Sequence, residues 1–291
     1  MPTNGDEIMT SAIDQVFDRL RGSGRCAFIP YLTGGFPDRA TCVDILVALG
    51  NSGADIIEVG IPFSDPLADG PAIQWASRKA LDNGMTVRGV FELVREARPR
   101  VAAPIVIMTY CNPLFAMGPA KFAAKAREAG VSGVIVPDLP VDEAEPWLDA
   151  ASSHGIDTIF LAAPNTTLPR MREIVARTKG FLYYVSMTGV TGSSLTLTES
   201  LFQHISRIRS LSDIPVGVGF GVSSPEDARA LAAVADAVIV GSEIIRRISA
   251  EKTTGSQVAA AARLAGSLND ALKNGGAGAS PRATRQGVSF T

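Results

Sequence analysis

Three acids strung along one short stretch, Glu58, Asp65 and Asp69, are the residues best placed to do chemistry. The chain there reads Glu58-Val59-Gly60-Ile61-Pro62-Phe63-Ser64-Asp65-Pro66-Leu67-Ala68-Asp69-Gly70. The apolar run Ala54 to Val59 reads as a buried parallel strand, which puts Glu58 at its carboxyl end and Asp69 on the Pro- and Gly-stiffened loop that leaves it. A carboxylate fixed on a strand and a second carried on a loop sit in different environments, so their proton affinities can separate and divide acid work from base work. The alternatives are structural: Glu58 as the cap of a neighbouring element, Asp69 as N-cap of a helix opening at Pro71, and Asp65 as an Asx turn before Pro66. Glu58, flanked by Ile57 and Val59, has no obvious partner in sequence to offset its desolvation.

A second chemistry is written in glycine. Gly217-Val218-Gly219-Phe220-Gly221 and Val240-Gly241-Ser242 each sit at the end of an apolar run. Glycines let backbone N–H groups approach an anion, and Ser242, opening a short helix, adds a hydroxyl and a positive dipole end. Together they predict a phosphate cradle; tight turns are the alternative. Thr188-Gly189-Val190-Thr191-Gly192-Ser193-Ser194 is placed to close over it as a lid. Other chemistries fit poorly. Lys79, Lys121 and Lys125 fall in predicted helices, which disfavours a Schiff-base aldolase, and His154 and His204 lie on or beside predicted helices, so no metal site is expected. Cys111 has no histidine in prospect, and no dinucleotide fingerprint follows the first strand.

Eight short β-branched runs must position these groups: Cys26-Leu32, Asp55-Gly60, Ile105-Thr109, Gly133-Val136, Thr158-Leu161, Phe181-Ser186, Pro215-Gly219 and Ala237-Val240. They alternate with amphipathic stretches, which predicts a closed (β/α)8 TIM barrel with its chemistry at the carboxyl ends of the strands. Asp6-Arg21, with Ile13, Phe17 and Leu20 at helical spacing, predicts an extra N-terminal helix plugging the lower end. Residues 1–273 read as one barrel domain, and the aperiodic Gly-, Ala-, Ser- and Arg-rich tail 274–291 as disordered. A net charge of -2 with scattered Lys and Arg gives no electrostatic case for nucleic acid or membrane, and no signal peptide or apolar span is visible. Three widely separated cysteines argue against a disulfide framework and for a reducing, cytoplasmic compartment.

With Tyr31-Leu32-Thr33-Gly34-Gly35-Phe36-Pro37, the stretch 58–70, Met108-Thr109-Tyr110-Cys111-Asn112-Pro113, Pro137-Asp138-Leu139-Pro140, Ala163-Pro164, Gly189-Val190-Thr191-Gly192 and Gly219-Phe220-Gly221 in this order, the chain resembles the α chains of tryptophan synthase. That resemblance implies retro-aldol cleavage of indole-3-glycerol phosphate to indole and glyceraldehyde 3-phosphate, with Glu58 as general acid and base and Asp69 holding the indole N–H. It implies Tyr183 beside the substrate, although Tyr184 is its neighbour, and Phe28, Met108 and Tyr110 as walls of the indole pocket. Met108 stands where the family commonly has leucine. Phosphate would be held by Gly192, Gly221, Gly241 and Ser242. Asp65, Pro66 and Thr191 would couple the site to a β chain in an α2β2 complex, with pyridoxal phosphate on that partner and no cofactor on this chain. The alternatives are a free-standing lyase and a mainly regulatory partner of the β chain.

Overall fold

The computed structural model describes residues 10–185, 199–219 and 221–275. Among them run nine strands: β1 (Ala27–Thr33), β2 (Ile57–Gly60), β3 (Ile105–Met108), β4 (Val131–Ile135), β5 (Asp157–Ile159), β6 (Leu161–Ala162), β7 (Leu182–Val185), β8 (Val216–Gly219) and β9 (Ala237–Val240). The helices are α1 (Ala12–Gly22), α2 (Arg39–Asn51), α3 (Pro71–Asp82), α4 (Val87–Ala97), α5 (Cys111–Met117), α6 (Pro119–Glu128), α7 (Glu145–Ser153), α8 (Leu168–Arg177), α9 (Glu199–Leu211), α10 (Pro225–Ala232), α11 (Ser242–Ser249) and α12 (Thr254–Gly275).

The sheet order β5-β4-β3-β2-β1-β9-β8-β7-β6 closes on itself, because β5 and β6 are two halves of one strand position interrupted at Phe160. The lower half pairs with β4 and the upper half with β7, and the Phe160 carbonyl accepts from the Tyr183 N–H at 3.0 Å across the break. Eight parallel strand positions with helices outside make this the (β/α)8 TIM barrel that the sequence predicts.

Strand alternation sorts the side chains into two layers. Ala27, Ile29, Ile56, Val106, Ile135, Ile159 and Ile239 meet inside the barrel. Phe28, Leu32, Ile57, Val59, Ile107, Val134 and Val238 face the helices instead. The lower end is closed by α1, whose Ile13, Val16, Phe17 and Leu20 join the interior cluster; its N-terminus is fixed by a capping box between Ser11 and Asp14. The predicted start of this helix at Asp6 lies outside the described residues. So does the predicted tail beyond Gly275, while Asn274 and Gly275 continue α12.

The second strand starts at Ile57 rather than Asp55 because the Asp55 carboxylate is used as a clamp. It accepts the Phe28 N–H at 3.0 Å and pairs with Arg25 at 2.9 Å, tying β1 to the entry of β2. Asp236 does the same for β8, accepting the Val216 N–H at 2.9 Å. These charge-assisted bonds fix the amino ends of the strands, opposite the carboxyl ends that carry the site. Among the described residues no helix is long and apolar enough to cross a membrane.

Candidate active site

Glu58 stands at the upper end of β2, in register with Tyr31 on β1 and Val106 on β3. Its neighbours Ile57 and Val59 belong to the helix-side layer, so the carboxyl group is turned into the barrel. It is 1% exposed, and neither oxygen has a hydrogen-bond partner among the described residues. Burial raises its pKa to about 8, with the charge of Asp69 adding to the rise. A buried carboxyl with no structural partner is costly, which at the carboxyl end of a barrel strand makes Glu58 a candidate for chemistry.

Asp69 does not cap α3: the N-cap is Gly70, with no side-chain cap, and Pro71 occupies the first turn. Partial burial raises the Asp69 pKa to about 6, against the lowering influence of the Tyr110 hydroxyl. That hydroxyl accepts the Ala68 N–H at 3.1 Å, and its ring stacks on Phe63 with centroids 5.3 Å apart. Tyr110 therefore locks the loop residue next to Asp69 while facing its carboxylate. The two acids thus meet different surroundings, one fully buried and without a hydrogen-bond partner among the described residues, one attended by a phenol.

The pair Tyr183 and Tyr184 is resolved by strand alternation. Tyr184 is buried on the helix side, where its hydroxyl meets His204 Nδ1 at 2.9 Å. Tyr183 faces the barrel, and its ring fills the space beside Gly219: a Cβ there would come within 2.4 Å of the Tyr183 hydroxyl. Burial holds the Tyr183 phenol far above its usual ionisation, with Glu58 as the foremost charge opposing it.

Phe28 is a correction. It lies on the helix side of β1, fully buried among Leu32, Ile57 and Val59, and has no face to offer a barrel pocket. The inward residue one turn of the pleat higher is Tyr31, 4% exposed, and the sequence reading passed over it. Alternation from Glu58 through the β1–β2 pairing is the signal that finds it. The ring of Tyr31 rests beside Gly60 and Gly241; a Cβ at Gly60 would stand 2.1 Å from its hydroxyl, and one at Gly241 3.2 Å from Cδ1. Gly60→Ala is accordingly expected to cost about 1–3 kcal/mol of stability through overpacking. Chemical denaturation of the variant measures this, with partial recovery in Gly60→Ala/Tyr31→Phe. Met108, in register with Gly60, packs from β3 against the interior cluster.

At the phosphate end, Gly241 leads into Ser242, the first residue of α11, with no side-chain cap on the helix. A Cβ on Gly70 would lie 3.9 Å from Ser242 Oγ, so the start of α3 and the start of α11 face the same corner. Gly221 has a φ of +39° and open space where a Cβ would point. Glu243, the acid next to Ser242, is neutralised by Arg246 at 2.9 Å and Arg247 at 2.7 Å, which removes a charge that would repel an anion. Gly192, Thr191 and the rest of the expected lid lie outside the described residues, as does Phe220.

Asp65 is exposed and its carboxylate accepts from Ser64 Oγ at 2.5 Å; beside Pro66 stands Leu67, 86% exposed. The Cys111 thiol is pushed up to about 12 by burial and then by Asp138, whose carboxylate caps α5 through the Cys111 N–H at 2.8 Å. His154 Nδ1 meets the Ala150 carbonyl on α7, away from the barrel interior.

A family model described as "Tryptophan synthase alpha chain" matches residues 17–273. The chain is 43% identical over 265 residues to a tryptophan synthase alpha chain from Picosynechococcus sp., covering 91% of this chain and all of that one. To the one from Phenylobacterium zucineum it is 47% identical over 243 residues, covering 83% and 88%. Among solved structures it is similar to Mycobacterium tuberculosis tryptophan synthase, with a TM-score of 0.84 and 39% identity over 91% of this chain and 99% of that one. The subunit alpha from Legionella pneumophila gives 0.83 and 36% with the same coverage.

Proposed function

The chain belongs to the tryptophan synthase alpha chain family, and from that premise we propose that it cleaves indole-3-glycerol phosphate to indole and D-glyceraldehyde 3-phosphate as the alpha subunit in L-tryptophan biosynthesis. Glu58, as the carboxylic acid, gives its proton to C3 of the indole. Asp69, as the carboxylate, holds the indole N–H and offsets the positive charge that passes through the nitrogen. Glu58, now ionised, takes the proton of the glycerol hydroxyl next to C3; the bond from C3 to that carbon breaks, its electrons restore the indole, and the hydroxyl carbon becomes the aldehyde. Tyr183 flanks the glycerol moiety, Met108 and Tyr110 flank the ring, and Gly221, Gly241 and Ser242, with Gly192, take the phosphate. No cofactor enters these steps; pyridoxal phosphate belongs to the β chain.

One observation carries this reading. The acid that must be protonated is raised to about 8 and the one that must be ionised lies near 6, so at neutral pH each holds the form its task requires. Asp65, Pro66 and Thr191 are read as the contact with a β chain in an α2β2 assembly. A cytoplasmic setting accords with the separated, unpaired thiols.

The test is indole release from indole-3-glycerol phosphate by the purified chain, alone and with a tryptophan synthase β chain, followed across about pH 5 to 10. We expect acceleration by the β chain and a bell-shaped kcat/KM with limbs near 6 and 8. Fast release indifferent to the β chain would mark a free-standing lyase, and no release under either condition would sink the enzymatic reading.

A further inference from the structure

Tyr31 stands in register with Glu58, and its ring packs beside Gly241 at the corner to which Gly70, next to Asp69, returns against Ser242. That ring rises past Glu58 into the space left by Gly60 and Gly241. The hydroxyl therefore stands one layer above Glu58, on the side where the Asp69 loop returns. Its only hydrogen-bonding contact among the described residues is Thr33 Oγ1 at 3.3 Å, a pair in which either oxygen can be the donor. Thr33 is fully buried. When Thr33 donates, the Tyr31 proton is free to point elsewhere. The foremost charge bearing on this phenol is Asp69, followed by Glu58, and its ionisation is pushed well above the usual range, so it keeps its proton at every working pH.

Among the described residues, the titratable groups that interact with Asp69 are Tyr31 from β1, Glu58 from β2, Tyr110 at the head of α5 and Tyr183 from β7. Among the described residues no ion pair to Asp69 forms, and the neutral side chains that feel its charge are phenols, of which Tyr110 bonds it. We propose that Tyr31 is a positioning residue for Asp69: in the occupied site its hydroxyl, held from behind by Thr33, donates to the Asp69 carboxylate across from Tyr110 and turns it towards the substrate N–H. The chain Thr33 to Tyr31 to Asp69 polarises in one direction, which strengthens each bond in it. The consequence is kinetic rather than structural, because a carboxylate held between two donors stays ionised at lower pH and needs no reorientation as charge develops on the nitrogen.

This inference rests on the lyase reading, and the experiment separates the two. Tyr31→Phe keeps the ring and removes the hydroxyl, and is assayed with the β chain present and its fold checked by thermal melting. Expected are a kcat lower by about tenfold, a KM within about twofold of the parent, and an acid limb of the pH profile raised by about half a unit or more. Thr33→Val, which removes the donor behind Tyr31, moves the acid limb the same way by less. An unchanged acid limb and kcat in Tyr31→Phe would overturn the proposal, as would a rise in KM alone, which would leave Tyr31 a pocket wall. If Tyr31→Phe does not fold, an unchanged acid limb in Thr33→Val overturns it equally. Absence of cleavage by the parent chain would instead overturn the lyase reading.

Discussion

Glu58→Gln is expected to lower indole release by about three orders of magnitude, the middle of the range that general acid–base groups contribute. Gln fills the same volume but can neither deliver a proton to C3 nor accept one from the hydroxyl, so both halves of the reaction lose their proton carrier. Binding should survive, because the Glu58 carboxyl makes no hydrogen bond to another described residue that would hold the pocket together. The same change has a signature in stability. The folded pKa of Glu58, about 8, lies above its ordinary 4.5, so the folded state binds the proton more tightly than the unfolded one. The stabilisation this brings is complete below the unfolded value and is lost as pH rises through about 8. Gln has nothing to ionise. Above pH 8 the variant should therefore melt higher than its parent, and at acid pH the two should converge. A variant that is inactive, yet more stable on the alkaline side, is the behaviour of a buried catalytic acid. Full activity in Glu58→Gln would return Glu58 to a structural role.

Much of the fold was legible because parallel barrel strands are buried on both faces and read as β-branched runs. The run Ala237-Val240 coincides with β9, and Pro71 and Pro119 mark the starts of α3 and α6. What escaped detection depended on partners distant in sequence. The start of β2 moved inward because Asp55 bonds the backbone of β1. The helix α5 is seven residues long and takes its cap from Asp138, 27 positions away, so no local pattern announces it. The break at Phe160 is likewise invisible in Thr158-Leu161, since it arises where one strand changes pairing partner.

In the candidate site, Glu58 was legible because a carboxyl group between Ile57 and Val59 is chemically anomalous. Phe28 and Tyr31 could not be ranked by residue type alone, since an aromatic suits either face of β1. Only the phase of the alternation separates them, and that phase is fixed by Ala27 and Ile29 pointing inward. The same rule decides between Tyr183 and Tyr184, adjacent residues whose side chains must part. That the two carboxyl groups could differ was legible from strand against loop, but which of them is raised further, and by what, was not. The difference arises from the burial of Glu58 and the Tyr110 hydroxyl near Asp69, both products of tertiary placement.

Asp69→Asn supplies the second large effect and reports on both acids at once. We expect kcat/KM to fall by about two to three orders of magnitude, the range for losing one preorganised electrostatic partner of a developing charge. The amide oxygen can still accept the indole N–H, so binding is weakened less than turnover. The pH profile should change shape as well as height. On the proposed mechanism the acid limb near 6 is the ionisation of Asp69, so it should vanish. Asp69 also helps to raise Glu58, so removing its charge lets the Glu58 pKa fall and moves the basic limb below about 8. A bell thus becomes a one-sided profile whose single limb is displaced to lower pH. A purely structural Asp69 would scale the whole bell down and leave both limbs in place. The direction of the surviving limb therefore decides whether the two carboxylates act on each other across the site or merely occupy it together.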